Sequence, residues 1–146
     1  MHKAIILLHL VAATIWTGGH IVLATTVLPR ALKRRDPAVI SDFEGPFERI
    51  GIPALLVQVA TGLYLATKLL PPSEWFTFAS VASTHVAAKI ILVVLTLVLA
   101  AHARLRIIPR LDASRLGVLA AHIVAVTVIS VLLAMIGAGF RIGGVF

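Results

Sequence analysis

The chain has 146 residues, 60% of them hydrophobic and only 13% charged, against roughly 45–50% apolar in a soluble domain. A mean hydropathy of +1.05 excludes an ordinary soluble fold, and the absence of cysteine excludes disulfides, thiolate metal sites and cysteine nucleophiles. The net charge of +7 gathers in loops between apolar spans, a pattern that orients a membrane protein rather than building a nucleic-acid surface.

Four apolar stretches are long enough to cross roughly 30 Å of hydrocarbon. The first, about residues 4–28, stops at Pro29-Arg30 and carries His9 and His20. Eleven residues at about 100° each end about 20° past three full turns, so the two imidazoles share a helix face roughly 16 Å apart along the axis. Trp16 lies on the same stripe. The small pairs Ala12-Ala13 and Gly18-Gly19 flank the histidines, leaving room for a neighbouring helix or a flat ligand. A basic start before an apolar run also describes a signal peptide, but this run is too long for one, and a retained span is expected.

The second stretch, about residues 50–68, tolerates Pro53 in its first turn and ends before Pro71-Pro72. The loop "PPSEWFTFASVAS" brings Trp75, Phe76 and Phe78 to an interface as an aromatic belt, and a short surface helix is expected there. The third stretch, about 85–106, holds His85, Lys89 and His102; seventeen residues put the two imidazoles on different faces. The fourth, about 116–140, holds His122. Gln58, Thr14, Thr96, Thr127 and Ser130 are read as groups that bond to backbone.

These spans predict one all-α domain, residues 1–146, folded as an integral membrane four-helix bundle. Nine of the thirteen Lys and Arg lie at one end: Arg30, Lys33, Arg34, Arg35, Arg49, Arg104, Arg106, Arg110 and Arg115. The positive-inside rule then places both termini on the periplasmic side. Alternating span directions sort the histidines into two levels. His20, His102 and His122 share the inner leaflet, His9 and His85 share the outer with Lys89, and His2 lies outside.

Ionisable groups at membrane depth are costly and mark function by default; the plainer alternative is a hydrogen bond between helices. Asp36, Asp42, Glu44, Glu48, Glu74 and Asp112 all read as loop residues, which excludes di-iron sites, zinc sites and Ser-His-Asp chemistry within the membrane. Neutral imidazoles on facing helices suit haem b, and copper is the competitor. The expected haem sites, one or two, pair His20 with His122 or His102 on the inner side and His9 with His85 on the outer. Trp16 lies beside the cofactor, Lys89 against an outer propionate, and Arg104 or Arg106 against an inner one.

Three segments carry a resemblance. "HLVAATIWTGGHIVLATTVLPRAL", "FERIGIPALLVQVATGLYLA" and "AAKIILVVLTLVLAAHARLRIIPRL" look like successive helices of the copper-resistance protein D (CopD) domain. The specific points are the histidine with Trp-x-Gly-Gly and Leu-Pro in the first helix, Thr-Gly-Leu in the second and the lysine of the third. More distantly, His9-x6-Trp16 and His85-x3-Lys89 resemble the small four-helix membrane protoporphyrinogen oxidases, which bind haem b. The resemblance implies a four-helix bundle, places His9, Trp16 and Lys89 on family positions, and implies copper handling in a bacterial inner membrane. The chain departs from the family pattern by lacking the extra helices of longer members and by carrying His20, His102 and His122.

The leading expectation is therefore a b-type cytochrome of the inner membrane, passing electrons between a periplasmic redox protein and a quinone or a cytoplasmic-side donor, in contact with lipid and forming a homodimer. The alternative is copper translocation along the same histidines, loaded at His2. A structural or assembly subunit is the third reading.

Overall fold

The computed structural model describes residues 2–139, all of whose long elements are helical. Four helices are long and apolar enough to cross a membrane: α1, His2–Arg34; α2, Ala38–Leu69; α3, Val81–Arg110; and α4, Leu116–Gly139. Short connections at residues 35–37 and 111–115 make α1/α2 and α3/α4 antiparallel hairpins. Their shared end carries most of the arginines and is called the basic end below. The expected fourth span reached Phe140, which, like Arg141, lies outside the described residues.

Large apolar side chains such as Leu7, Leu8, Leu56, Val98 and Leu105 are exposed all around the bundle. On a soluble protein such a surface would be an aggregation hazard; here it is the face presented to lipid. Inside, a cluster of Leu23, Val27, Leu28, Ile40, Ile107, Leu116, Leu119 and Ile123 ties the four helices together at the basic end. Nearer mid-membrane, Trp16, Leu55 and Val126 form a second knot. α1 packs closely on α2 and α4, and α3 on α4, whereas α2 and α3 scarcely meet.

The first three predicted spans are lengthened by the structure, for identifiable reasons. α1 does not stop at Pro29. Proline removes an N–H and crowds the carbonyl four residues back; a wide π-type turn over Leu23–Val27 accommodates both, with the Leu28 N–H bonding Leu23 O, five residues back. α3 repeats the device: a wide turn over Ala103–Ile107 precedes Pro109, and the Ile108 N–H bonds Ala103 O. α1 ends at Arg35, whose φ of 51° is left-handed, the usual way a helix closes its last carbonyls.

α2 begins twelve residues earlier than expected. Asp36 accepts a hydrogen bond from the Ala38 N–H at 3.0 Å, and Pro37 sits where a missing N–H costs nothing. Residues 38–49 therefore extend the helix at the basic end, and Asp42, Glu44 and Glu48 belong to it and not to a loop. Between α2 and α3 the expected surface helix reduces to a single turn, Pro72–Glu74. The Trp75 indole N–H there donates to Leu70 O at 3.1 Å, and Ser80 opens α3 with a reciprocal capping box to Ser83.

Candidate functional site

The stripe read from α1 faces α2. At the end away from the basic loops, His9 Nδ1 lies 2.9 Å from Thr61 Oγ1. The Thr61 hydroxyl proton is directed at Val57 O, 2.6 Å away, so the Thr61 oxygen accepts and His9 Nδ1–H donates. A Cβ at Gly62 would stand 3.1 Å from His9 Cε1, so glycine is what lets the ring lie against the α2 backbone. Thr61-Gly62 is thus a seat for His9. Lys89 is half-buried on α3 and acts electrostatically on His9; its Nζ reaches α4 beside Gly137. His85 is half-buried in the second turn of α3.

At the basic end, His20 Nδ1 donates to Trp16 O at 3.0 Å. The Trp16 ring tilts against the His20 ring at 4.3 Å between centroids, and the Phe47 edge meets it at 5.8 Å. Phe47 needs both glycines beside it: a methyl on Gly19 would overlap its ring, and one on Gly51 would stand 2.9 Å from it. The space read next to Gly19 as room for a flat ligand is filled by Phe47. Gly18, by contrast, has open space around it.

His122 Nδ1 lies 2.9 Å from Val118 O, an acceptor only, so this nitrogen carries the proton. The neutral ring then presents its Nε2 lone pair, which receives His102 Nδ1–H at 2.9 Å, the two rings stacking at 5.0 Å. His9, His20, His102 and His122 thus all hold their proton on Nδ1; the Nε2 lone pair stays open at His9, His20 and His102, while at His122 it is taken by the His102 N–H. This is the form in which metal-binding histidines are usually held, one nitrogen fixed by a hydrogen bond and the other left to bind.

His20 and His122 line one cleft of about 130 Å³, together with Trp16 and Phe47, Glu44 and Glu48 of α2, and Arg104 of α3. Arg104 Nη1 donates to Glu48 Oε1 at 2.6 Å. Sequence reasoning missed the two glutamates by assigning them to a loop; their i, i+4 spacing was the available signal, since it stacks them on one helical face.

The expected haem pairs are not supported by this geometry. His9 commits its Nδ1 to Thr61 Oγ1 at 2.9 Å. His102 and His122 bond each other directly at 2.9 Å, whereas an iron between two imidazoles separates their nitrogens by about 4 Å, at roughly 2 Å per metal–nitrogen bond. The cleft that holds His20 is smaller than the roughly 300 Å³ at which drug-sized pockets begin, and a porphyrin is larger still. Among the described residues, no three His, Asp or Glu side chains converge on a preformed metal centre. The arrangement suits transient binding of an ion at successive imidazoles better than a resident macrocycle.

Residues 42–140 match the family model described as copper resistance protein D. The match takes in all of α3 and α4 and nearly all of α2, and leaves α1 outside. No curated protein and no solved structure matches the chain.

Proposed function

The chain belongs to the copper resistance protein D family, and from that premise we propose that it is a multi-pass protein of the bacterial inner membrane that carries copper ions between its two faces. The basic end faces the cytoplasm by the positive-inside rule. The ion passes from the level of His9 to His20 in the cleft, and His122 receives it once the His102 N–H leaves its Nε2.

The observation that carries this reading is the shared tautomer. His9 and His20, roughly 16 Å apart on one face of α1, each commit Nδ1 to a hydrogen bond and keep the Nε2 lone pair for an ion. Imidazole is a good copper donor, and softer sulfur ligands are scarce, with Met1 and Met135 the only thioethers. Single imidazoles bind less tightly than a closed cage, as release at the far side requires. Lys89 beside His9 opposes prolonged residence of a cation there and favours onward movement.

The test is copper uptake into liposomes holding the purified full chain and an enclosed chelating dye, with copper supplied in both oxidation states. Uptake is expected in one of them, and His20→Ala should lower it at least tenfold while Lys33→Ala leaves it unchanged. An absorbance spectrum of the same preparation should lack a Soret band. No uptake of either ion, or full uptake by His20→Ala, would overturn the proposal.

A further inference from the structure

The cleft at the basic end is walled by packed helices on three sides. On the fourth, between α2 and α3, helix packing is thin, and an ion pair spans the gap. Arg104 and Glu48 are 56% and 25% exposed, so this pair stands at the mouth of the cleft rather than in its floor. Behind it lie Ala100, Ala103 and the two imidazoles, His20 from α1 and His122 from α4.

Two features make the pair releasable. Arg104 is the second residue of the wide turn Ala103–Ile107, where the Ile108 N–H bonds five residues back. Pro109 sets this widening, and wide turns of this kind recur at functional sites in helices. The second feature is charge. Glu44 and Glu48 both line the cleft, and of its lining residues Arg104 alone is a permanent cation. An ion arriving at the cleft competes with the guanidinium for the same carboxylates.

We propose that the Arg104–Glu48 pair is the latch of a lateral gate between α2 and α3, which admits water and cations from the basic end to His20 and His122. The cargo rests on the copper reading above; the gate itself does not. An exposed pair of this kind is weak, as a latch that must open in every cycle requires.

The natural chain has no cysteine, so one introduced thiol reports access. Ala100→Cys, inside the cleft, is measured in the full chain in membrane vesicles with the basic end outward, as its rate of reaction with a charged, membrane-impermeant thiosulfonate. Adding Glu48→Gln or Arg104→Gln should speed labelling by about fivefold or more. The exchange Glu48→Arg with Arg104→Glu should return the rate to within about twofold of the starting value. Ser114→Cys, in the exposed loop, should label at one rate in all backgrounds, which shows that vesicle orientation and reagent access are unchanged, and the return of the slow Ala100→Cys rate in the exchanged pair shows that the fold survives. Unchanged Ala100→Cys labelling in both single variants, or failure of the exchange to slow it, would overturn the gate and leave the pair a brace. If labelling responds but copper uptake is absent, the gate stands and the cargo assignment fails.

Discussion

At the scale of single residues, the site is organised by groups that hold imidazoles rather than by the imidazoles alone. Thr61 is the plainest case, because its own proton is spent on Val57 O and its oxygen can only receive. Thr61→Val should leave the His9 N–H without its partner and cost about 1–3 kcal/mol. Nitrogen NMR of labelled histidine should then lose the uniform Nδ1–H signature at His9, and Thr61→Ser should restore it. An unchanged spectrum in Thr61→Val would show that the seat does not set the tautomer. The glycine pair makes a matched test of packing. Gly19→Ala drives a methyl into the Phe47 ring and should destabilise by about 1–3 kcal/mol, whereas Gly18→Ala, in open space, should stay within about 0.5 kcal/mol. Thermal melts in detergent compare the two directly. Histidine and tryptophan positions were legible in the sequence because a period of 3.6 residues fixes which side chains share a face. Phe47, Glu44 and Glu48 were not, because "DFEGPFERIGIP" mixes glycine, proline and charge in the manner of a turn, and only the neighbouring helices hold it straight.

At the scale of elements, helix ends decide how far each span extends into the interfaces. Pro29, which seemed to stop α1, and Pro109 near the end of α3 are absorbed by wide turns, one lying just past His20 and the other just past His102. Apolar periodicity carries no signal for such a turn, which is why both helices looked shorter than they are. α3 is capped by Ser80, and Ser80→Ala removes the half of the capping box in which Ser80 Oγ accepts from the Ser83 N–H while leaving the Ser80 N–H on Ser83 Oγ; a loss of about 1 kcal/mol is expected by chemical denaturation. α4 is preceded by Asp112. The Ser114 hydroxyl, with the backbone N–H groups of Arg115 and Ser114, holds its carboxyl below the usual aspartate range. A depressed folded value stabilises above the unfolded pKa of about 3.9 and loses that contribution as pH falls through the folded one. The melting difference between the natural chain and Asp112→Asn should therefore be present at neutral pH and shrink toward zero in strong acid; a difference independent of pH would deny Asp112 this role.

At the scale of the whole molecule, four spans, their order and the gathering of arginine at one end could be read from hydropathy and charge. Which helices touch could not, because lipid-facing and core-facing side chains are equally apolar. The proposed orientation rests on the same charges and can be measured with the cysteine-free chain. Ser114→Cys should react with an impermeant reagent only from the cytoplasmic side and Thr77→Cys only from the periplasmic side. The reverse pattern would invert the proposed direction of every step.

The Arg104–Glu48 pair joins residues 56 positions apart, and its two members leave the ribosome in a fixed order. The glutamate arrives with the first hairpin, long before its arginine exists. A nascent first hairpin therefore reaches the bilayer with the Glu48 carboxylate unanswered at its boundary, and the second hairpin answers it only on docking. Completion of the chain and closure of the cleft become one event, so a half-made protein offers an open acidic notch that the finished one conceals.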